Sequence, residues 1–266
     1  MNQTHYCYDV LLKYGSTLYY CLKKIAPDKR DVVVAIEAFY QEILQTIFEN
    51  RDQVVAYQKL LWWQNEILKI PEKKAEHPVG IELQKYMTDN ERLLKMVDGM
   101  MQTLNLPTFP TFEDLVLLMM QIAGERECLM LEVLQKEDVI SLENINTAAL
   151  VLQLTQYIQQ LRNYVRIGFI PFSSDELQKF NVTPEMLSAY KTTPEIKNLL
   201  QYQMDKVERA HSHVIADLGM YEYTLALSKR TEIAWTTLQE IKNGGFKVLE
   251  GLTNLTPLKM WWIAYR

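Results

Sequence analysis

The stretch VAIEAFYQEILQTIFENRDQVVAYQKLLWWQNEI, Val34 to Ile67, decides how the rest of the chain is read. Ile36, Phe39, Tyr40, Ile43, Leu44, Ile47 and Phe48 recur at three- and four-residue spacing, which places them on one helical face covering roughly half the circumference. A helix that apolar has to be buried. Asn50 to Asp52 breaks it, and a further helix from Gln53 to Ile70 carries Trp62 and Trp63.

Outward in both directions the pattern stays helical. Thr4 to Lys24 reads as one helix, and Pro27-Asp28 opens the helix of the quoted stretch, because proline is tolerated in a first turn. His77-Pro78 starts a short helix to Met87, and Asn90 is placed to cap the next, which runs toward Leu106. Two prolines make LPTFPTFEDL a tight connection. Thr111 opens a long helix through Gln135, interrupted in composition at Gly124-Glu125-Arg126-Glu127. Ser141 caps a helix to about Arg166, ended by Gly168; Ser173 and Glu176 have capping-box spacing. Thr183-Pro184 and Thr193-Pro194 each read as a cap followed by proline, the second leading a helix past His213. A last long helix, Tyr221 to Lys242, is closed by Gly244-Gly245. Strand alternation is almost absent and no linker or repeat divides the chain, so the expectation is one all-α domain over residues 1–266.

With 266 residues, 48% of them hydrophobic, the chain can bury a large core. A net charge of -5 and scattered cations argue against binding a nucleic-acid backbone. Cys7, Cys21 and Cys128 are odd in number and form no CxxC pair, which suggests neither a disulfide framework nor a zinc site. His211 and His213, two apart on a helix, point different ways and make a poor metal pair. The apolar run Leu115–Ala123 is too short to span a bilayer. The first sixteen residues lack the basic start and apolar run of a secretory signal. The chain is read as cytosolic.

Specific segments then resemble the squalene and phytoene synthases. STLYYCLKKIAPDKRDVVVAIEAFYQEI, Ser16 to Ile43, is similar to the family's entry segment leading into its first aspartate cluster, and KLLWWQNEI, Lys59 to Ile67, to the segment just after that cluster in bacterial members. HPVGIEL, MVDGMMQTL and PTFEDLVLLMMQIAG continue in the same order. ALVLQLTQYIQQLRNYVRIGFIPFSSDEL, Ala149 to Leu177, resembles the helix and exit loop holding the second cluster, and LTPLKMWWIAYR the bacterial C-terminus. The resemblance implies an isoprenoid synthase helical bundle around a central cavity. It also implies magnesium-dependent prenyl transfer between two isoprenoid diphosphates, with carboxylates on facing helices holding the metal ions.

The chain departs from that pattern where the metal would bind. The first cluster's positions fall on Leu44 and Phe48, and the second's on Gln160, Asn163 and Tyr164, with Gln156 where an asparagine is usual. Amides coordinate magnesium weakly and leave a diphosphate's charge unbalanced. Gln41 and Gln121 stand where an arginine is common; Asp98 is retained but its companion position is Thr103, and Arg166 is retained. Tyr20, Tyr40, Gln41, Asp98, Gln121, Gln156 and Arg166 are therefore candidate pocket or ligand-binding residues, with no catalytic residue assigned. Glu42 and Glu49, nearly aligned, project opposite Leu44 and Phe48 and cannot simply replace the lost ligands. Leu44 and Phe48 are expected to fill the former metal end; Gln156, Gln160 and Asn163 form either a solvated face or a semi-buried polar patch.

These residues point to a non-catalytic member of the family, acting in binding or assembly with a protein partner and needing no cofactor. The family's mitochondrial assembly-factor branch for respiratory complex I, which also lacks the aspartate clusters, is a precedent by analogy. An alternative is a prenyl transferase with a divergent Mg2+ site using Glu42, Glu49 and Asp98, and a third reading is an isoprenoid or lipid carrier. The segment Lys259–Arg266 mixes two tryptophans, a tyrosine and two cations; by resemblance it packs on the helical body, and its composition also suits peripheral contact with a membrane or a partner.

Overall fold

A computed structural model describes residues 2–50, 52–134, 141–217 and 222–266, and among them there are helices, turns and no strand. The all-α expectation therefore holds. The first helix is α1, Gln3–Tyr14, and it ends earlier than periodicity suggested. Gly15 takes φ 69°, a left-handed conformation that costs glycine little, and Ser16 then accepts from Leu18 N to cap α2, Thr17–Cys21. A short tight turn over Pro27–Lys29 leads into α3, Arg30–Glu49.

Helix α3 is the axis of the molecule. From Val32 to Gln41 every residue is buried, so this half is enclosed on all sides and not only on the face that periodicity marks. Farther on, Ile43, Leu44, Ile47 and Phe48 keep one buried face. Enclosure comes from α1, from α4 (Gln53–Leu68), from α5 (Pro78–Leu83), from α6 (Glu91–Asn105) and from α8 (Glu125–Val133), all of which pack on α3. Asp52 caps α4 by accepting from Val54 N at 2.8 Å, and His77 caps α5 through Nδ1. Asn90 does not cap α6 with its side chain; its amide donates to Ile67 O at 3.2 Å, and Asp89 accepts from Glu91 N instead.

Thr111 and Asp114 form a capping box at the start of α7, Phe112–Met119. Between α7 and α8 the helix widens into a π segment, Met120–Gly124, against which α6 crosses closely. Gly99 is required there, since a Cβ at that position would lie 2.5 Å from Ile122 Cγ1.

The helix expected from Ser141 to Arg166 is two helices. Helix α9, Leu142–Gln159, stops where Gln160 leaves helical geometry, and α10, Leu161–Arg166, follows. Two short helices, α11 (Ser174–Lys179, with the Ser173/Glu176 capping box) and α12 (Pro184–Ser188, capped by Thr183), precede the long α13, Pro194–Asp217, and α14, Glu222–Asn243. Both long helices lie along α9, and α15, Pro257–Tyr265, packs on α14 and α2. Gln135 and Tyr221, expected helix ends, lie outside the described residues.

Candidate functional site

The site is built where α3 faces α9 and α10. Tyr40, fully buried on α3, donates its hydroxyl to Gln156 Oε1 on α9, with Gln153 Oε1 3.5 Å away. Two turns on, Phe48 meets Tyr164 of α10 edge to face, with ring centroids 4.9 Å apart at 75°. Tyr164 in turn packs on Tyr157 and Phe169 at 5.1 and 5.7 Å. Leu44 and Phe48 are 3% and 6% exposed. Of the positions that resemble metal ligands on facing helices, Phe48 and Tyr164 meet as aromatic rings, and Leu44 is buried one turn before Phe48 on α3. Edge-to-face aromatic pairs add about 0.5–1.5 kcal/mol beyond the burial of their area.

Gln156, Gln160 and Asn163 are half-buried, which decides for the semi-buried polar patch. Asn163 Nδ2 donates to Gln160 Oε1 at 2.6 Å, so each amide has a protein partner. Arg166 Nη2 donates to Phe48 O at 2.7 Å, an arrangement in which a guanidinium satisfies a carbonyl at a helix C-terminus. Asp98 accepts from Gln64 Nε2 at 2.6 Å, and Gln121 from Gln102 Nε2 at 2.9 Å. Tyr20 stands apart on α2, edge-on to Tyr19, with burial raising its hydroxyl. Glu42 and Glu49 face α1, accepting from Tyr6 and Tyr14.

Sequence reasoning missed the strongest electrostatic feature. Glu37, Arg126, Glu127 and Arg230, each at most 4% exposed, form a closed ring of charge. Arg126 lies 2.8 Å from Glu127 and 3.6 Å from Glu37, and Arg230 lies 2.8 Å from Glu127 and 3.7 Å from Glu37. Ser16 and Gln41 both donate to Glu37 Oε1, at 2.7 and 3.0 Å. The Arg126 guanidinium sits 4.1 Å over the Tyr40 ring. Burial alone would lower Arg126, but Glu37 and Glu127 hold it above its ordinary value. Burial, helped by Glu37 and opposed by Arg126, pushes the Tyr40 hydroxyl up to about 12. The sequence signal was available in part: Glu37 is the one charge inside the apolar run Val32–Tyr40.

The donor set does not fit a magnesium clamp. Hard cations want several oxygen ligands, carboxylates above all, and the converging positions offer Leu44, Phe48, Tyr164 and paired amides. Among the described residues no three His, Cys, Asp or Glu side chains are grouped so as to hold a metal ion. Glu42, Glu49 and Asp98, the alternative ligands, are each engaged by a different side chain, Tyr6, Tyr14 and Gln64. A cleft of about 510 Å³ lies elsewhere, lined by Asp28, Val32, Asp89, Arg92 and Leu129 among others.

Residues 11–261 match the profile of squalene/phytoene synthase. The chain belongs to the squalene and phytoene synthase family. Carrot (Daucus carota) chloroplastic phytoene synthase is 22% identical over 210 residues, covering 75% of this chain and 53% of that one. The chain spans about half the length of the curated relatives it matches. A dehydrosqualene synthase crystallised with a ligand superposes with TM-score 0.84 at 16% identity, over 99% of this chain and 94% of the other. Squalene synthase HpnC from Alicyclobacillus acidocaldarius gives TM-score 0.73 at 15% identity, over 92% and 94%. At such identities the likeness establishes the isoprenoid synthase fold.

Proposed function

We propose that this protein is a non-catalytic member of the squalene and phytoene synthase family that acts through binding or assembly with a protein partner. The observation that carries the proposal is the Phe48–Tyr164 contact: two positions that resemble opposed metal ligands touch each other as aromatic rings. A diphosphate carries several negative charges, and holding it needs either cations or metal ions. Arg126 and Arg230 are each committed to two buried carboxylates, and Arg166 to a backbone carbonyl.

Calorimetric titration with the thio-analogue of farnesyl diphosphate, with and without magnesium, tests the reading. The expected outcome is no binding in either condition. Magnesium-dependent binding near micromolar, about 8 kcal/mol, would overturn it in favour of prenyl transfer. Binding indifferent to magnesium would overturn it in favour of a lipid carrier.

A further inference from the structure

Helix α15 is amphipathic with its apolar stripe turned outward. Leu258, Trp261, Trp262 and Tyr265 fall at i, i+3, i+4 and i+7, one helical face, and are 80%, 47%, 55% and 66% exposed. Ile263 and Ala264, on the other side, are buried and anchor the helix to the body. The exposed rings are ordered: Trp261 stacks on Tyr265 at 5.2 Å and 14°, and Arg266 lies 4.6 Å over Trp262.

Charge around the stripe runs against the charge of the chain. From Gly251 to Arg266 there is no Asp or Glu and there are two cations, Lys259 and Arg266, in a protein of net charge -5. Glu240 and Glu232 of α14 pair with these cations and balance their charge, so among the described residues the cations beside the helix that have no ion pair are Lys23 and Lys24. Lys24 approaches the same helix, donating to Tyr265 O at 3.3 Å, and Lys23 beside it is exposed. Tryptophan and tyrosine between lysines and arginines suit the boundary between acyl chains and headgroups, where cations meet anionic lipid.

A second protein chain is a poorer occupant for this face. Nine residues give a helix of about 13 Å, and a strip about 10 Å wide presents well under the roughly 800 Å² per partner of a stable interface. We infer that α15 is a peripheral membrane-docking element for anionic lipid surfaces, inserting Leu258, Trp261 and Trp262 into the interface while Lys23 and Lys24 face the headgroups. The chain needs no spanning segment for this, and among the described residues no helix is long and apolar enough to cross a membrane.

Flotation of the whole protein with vesicles tests it. With phosphatidylcholine–phosphatidylglycerol vesicles the protein should float, and the Leu258→Ser/Trp261→Ser/Trp262→Ser variant should partition at least about tenfold less. Trp261→Ser alone, which leaves Leu258 and Trp262 in place, should lose partitioning measurably but less than the triple variant. Leu117→Ser, at a leucine of α7 that is 70% exposed, should change nothing. Circular dichroism and melting of each variant separate misfolding from lost docking. Absence of flotation, flotation equal on neutral vesicles, or flotation unchanged in the folded triple variant would each overturn the inference. So would self-association, seen by sedimentation velocity, that the triple variant abolishes.

Discussion

The middle of α3 and its C-terminal end solve the same problem in opposite ways. At Glu37 the interior keeps four full charges; about 16 Å along the helix, at Phe48, positions that resemble charged ligands carry none. The difference lies in closure. The ring of Glu37, Arg126, Glu127 and Arg230 sums to zero, and each carboxylate lies within 3.7 Å of both guanidinium groups, so it can stand in a dry interior. Two carboxylate clusters facing each other do not sum to zero, and without bound cations they repel. Aromatic packing removes that repulsion. Tyr40 joins the two regimes, its ring under Arg126 and its hydroxyl on Gln156.

The two regions should respond unequally to mutation. Glu127→Ala breaks the ring and leaves two arginines without their nearest carboxylate, at a cost of about 3–5 kcal/mol in urea unfolding. Replacing the four charges together by apolar residues of similar volume should cost far less; an equal loss would mean that packing, not charge closure, dominates there. Phe48→Ala should cost about 3 kcal/mol without conferring magnesium-dependent diphosphate binding. If binding appears, the aromatic plug was masking a functional site. Tyr40→Phe should cost about 1 kcal/mol through loss of the Gln156 hydrogen bond.

The effect of pH is smaller and more specific. The Tyr40 pKa is raised in the folded state, to about 12, against about 10 unfolded. Its contribution to stability is therefore fully present below about pH 10 and is lost as pH rises toward 12. Tyr40→Phe should unfold less steeply between those values than the wild type, as read from alkaline urea midpoints. An identical slope would mean that Tyr40 ionises freely and is not enclosed between the two regimes.

Much of the fold was legible because helices announce themselves locally. The periodicity of Ile36 to Phe48, the Thr111 and Ser173 caps and the glycine stops at Gly168 and Gly245 are all readable within a few residues. The errors came where a local signal had a competitor. Asn90 had a carbonyl of α4 to satisfy and left the cap unfilled. Gly15 and Ser16 divided one periodic pattern into two helices, and Gln160 divided another. At the site, the order of segments marked Leu44, Phe48, Gln160 and Asn163 as the positions that resemble metal ligands, whereas the ring could not be read from spacing. Glu127 and Arg230 are 103 residues apart, and nothing local to either names the other.

The π segment Met120–Gly124 has a consequence for how this protein can change. A π turn carries one residue more than an α turn for nearly the same sweep. The segment therefore takes up one extra residue while leaving the phase of α8 nearly unchanged. Deleting a single residue there would close the widened turn to an ordinary α turn, and Arg126 and Glu127 would still face their partners on α3 and α14. Through that extra residue, the chain between Thr111 and Arg126 holds one residue of slack, so a one-residue deletion within Met120–Gly124 should cost less than removing Glu127 itself, as read from urea unfolding.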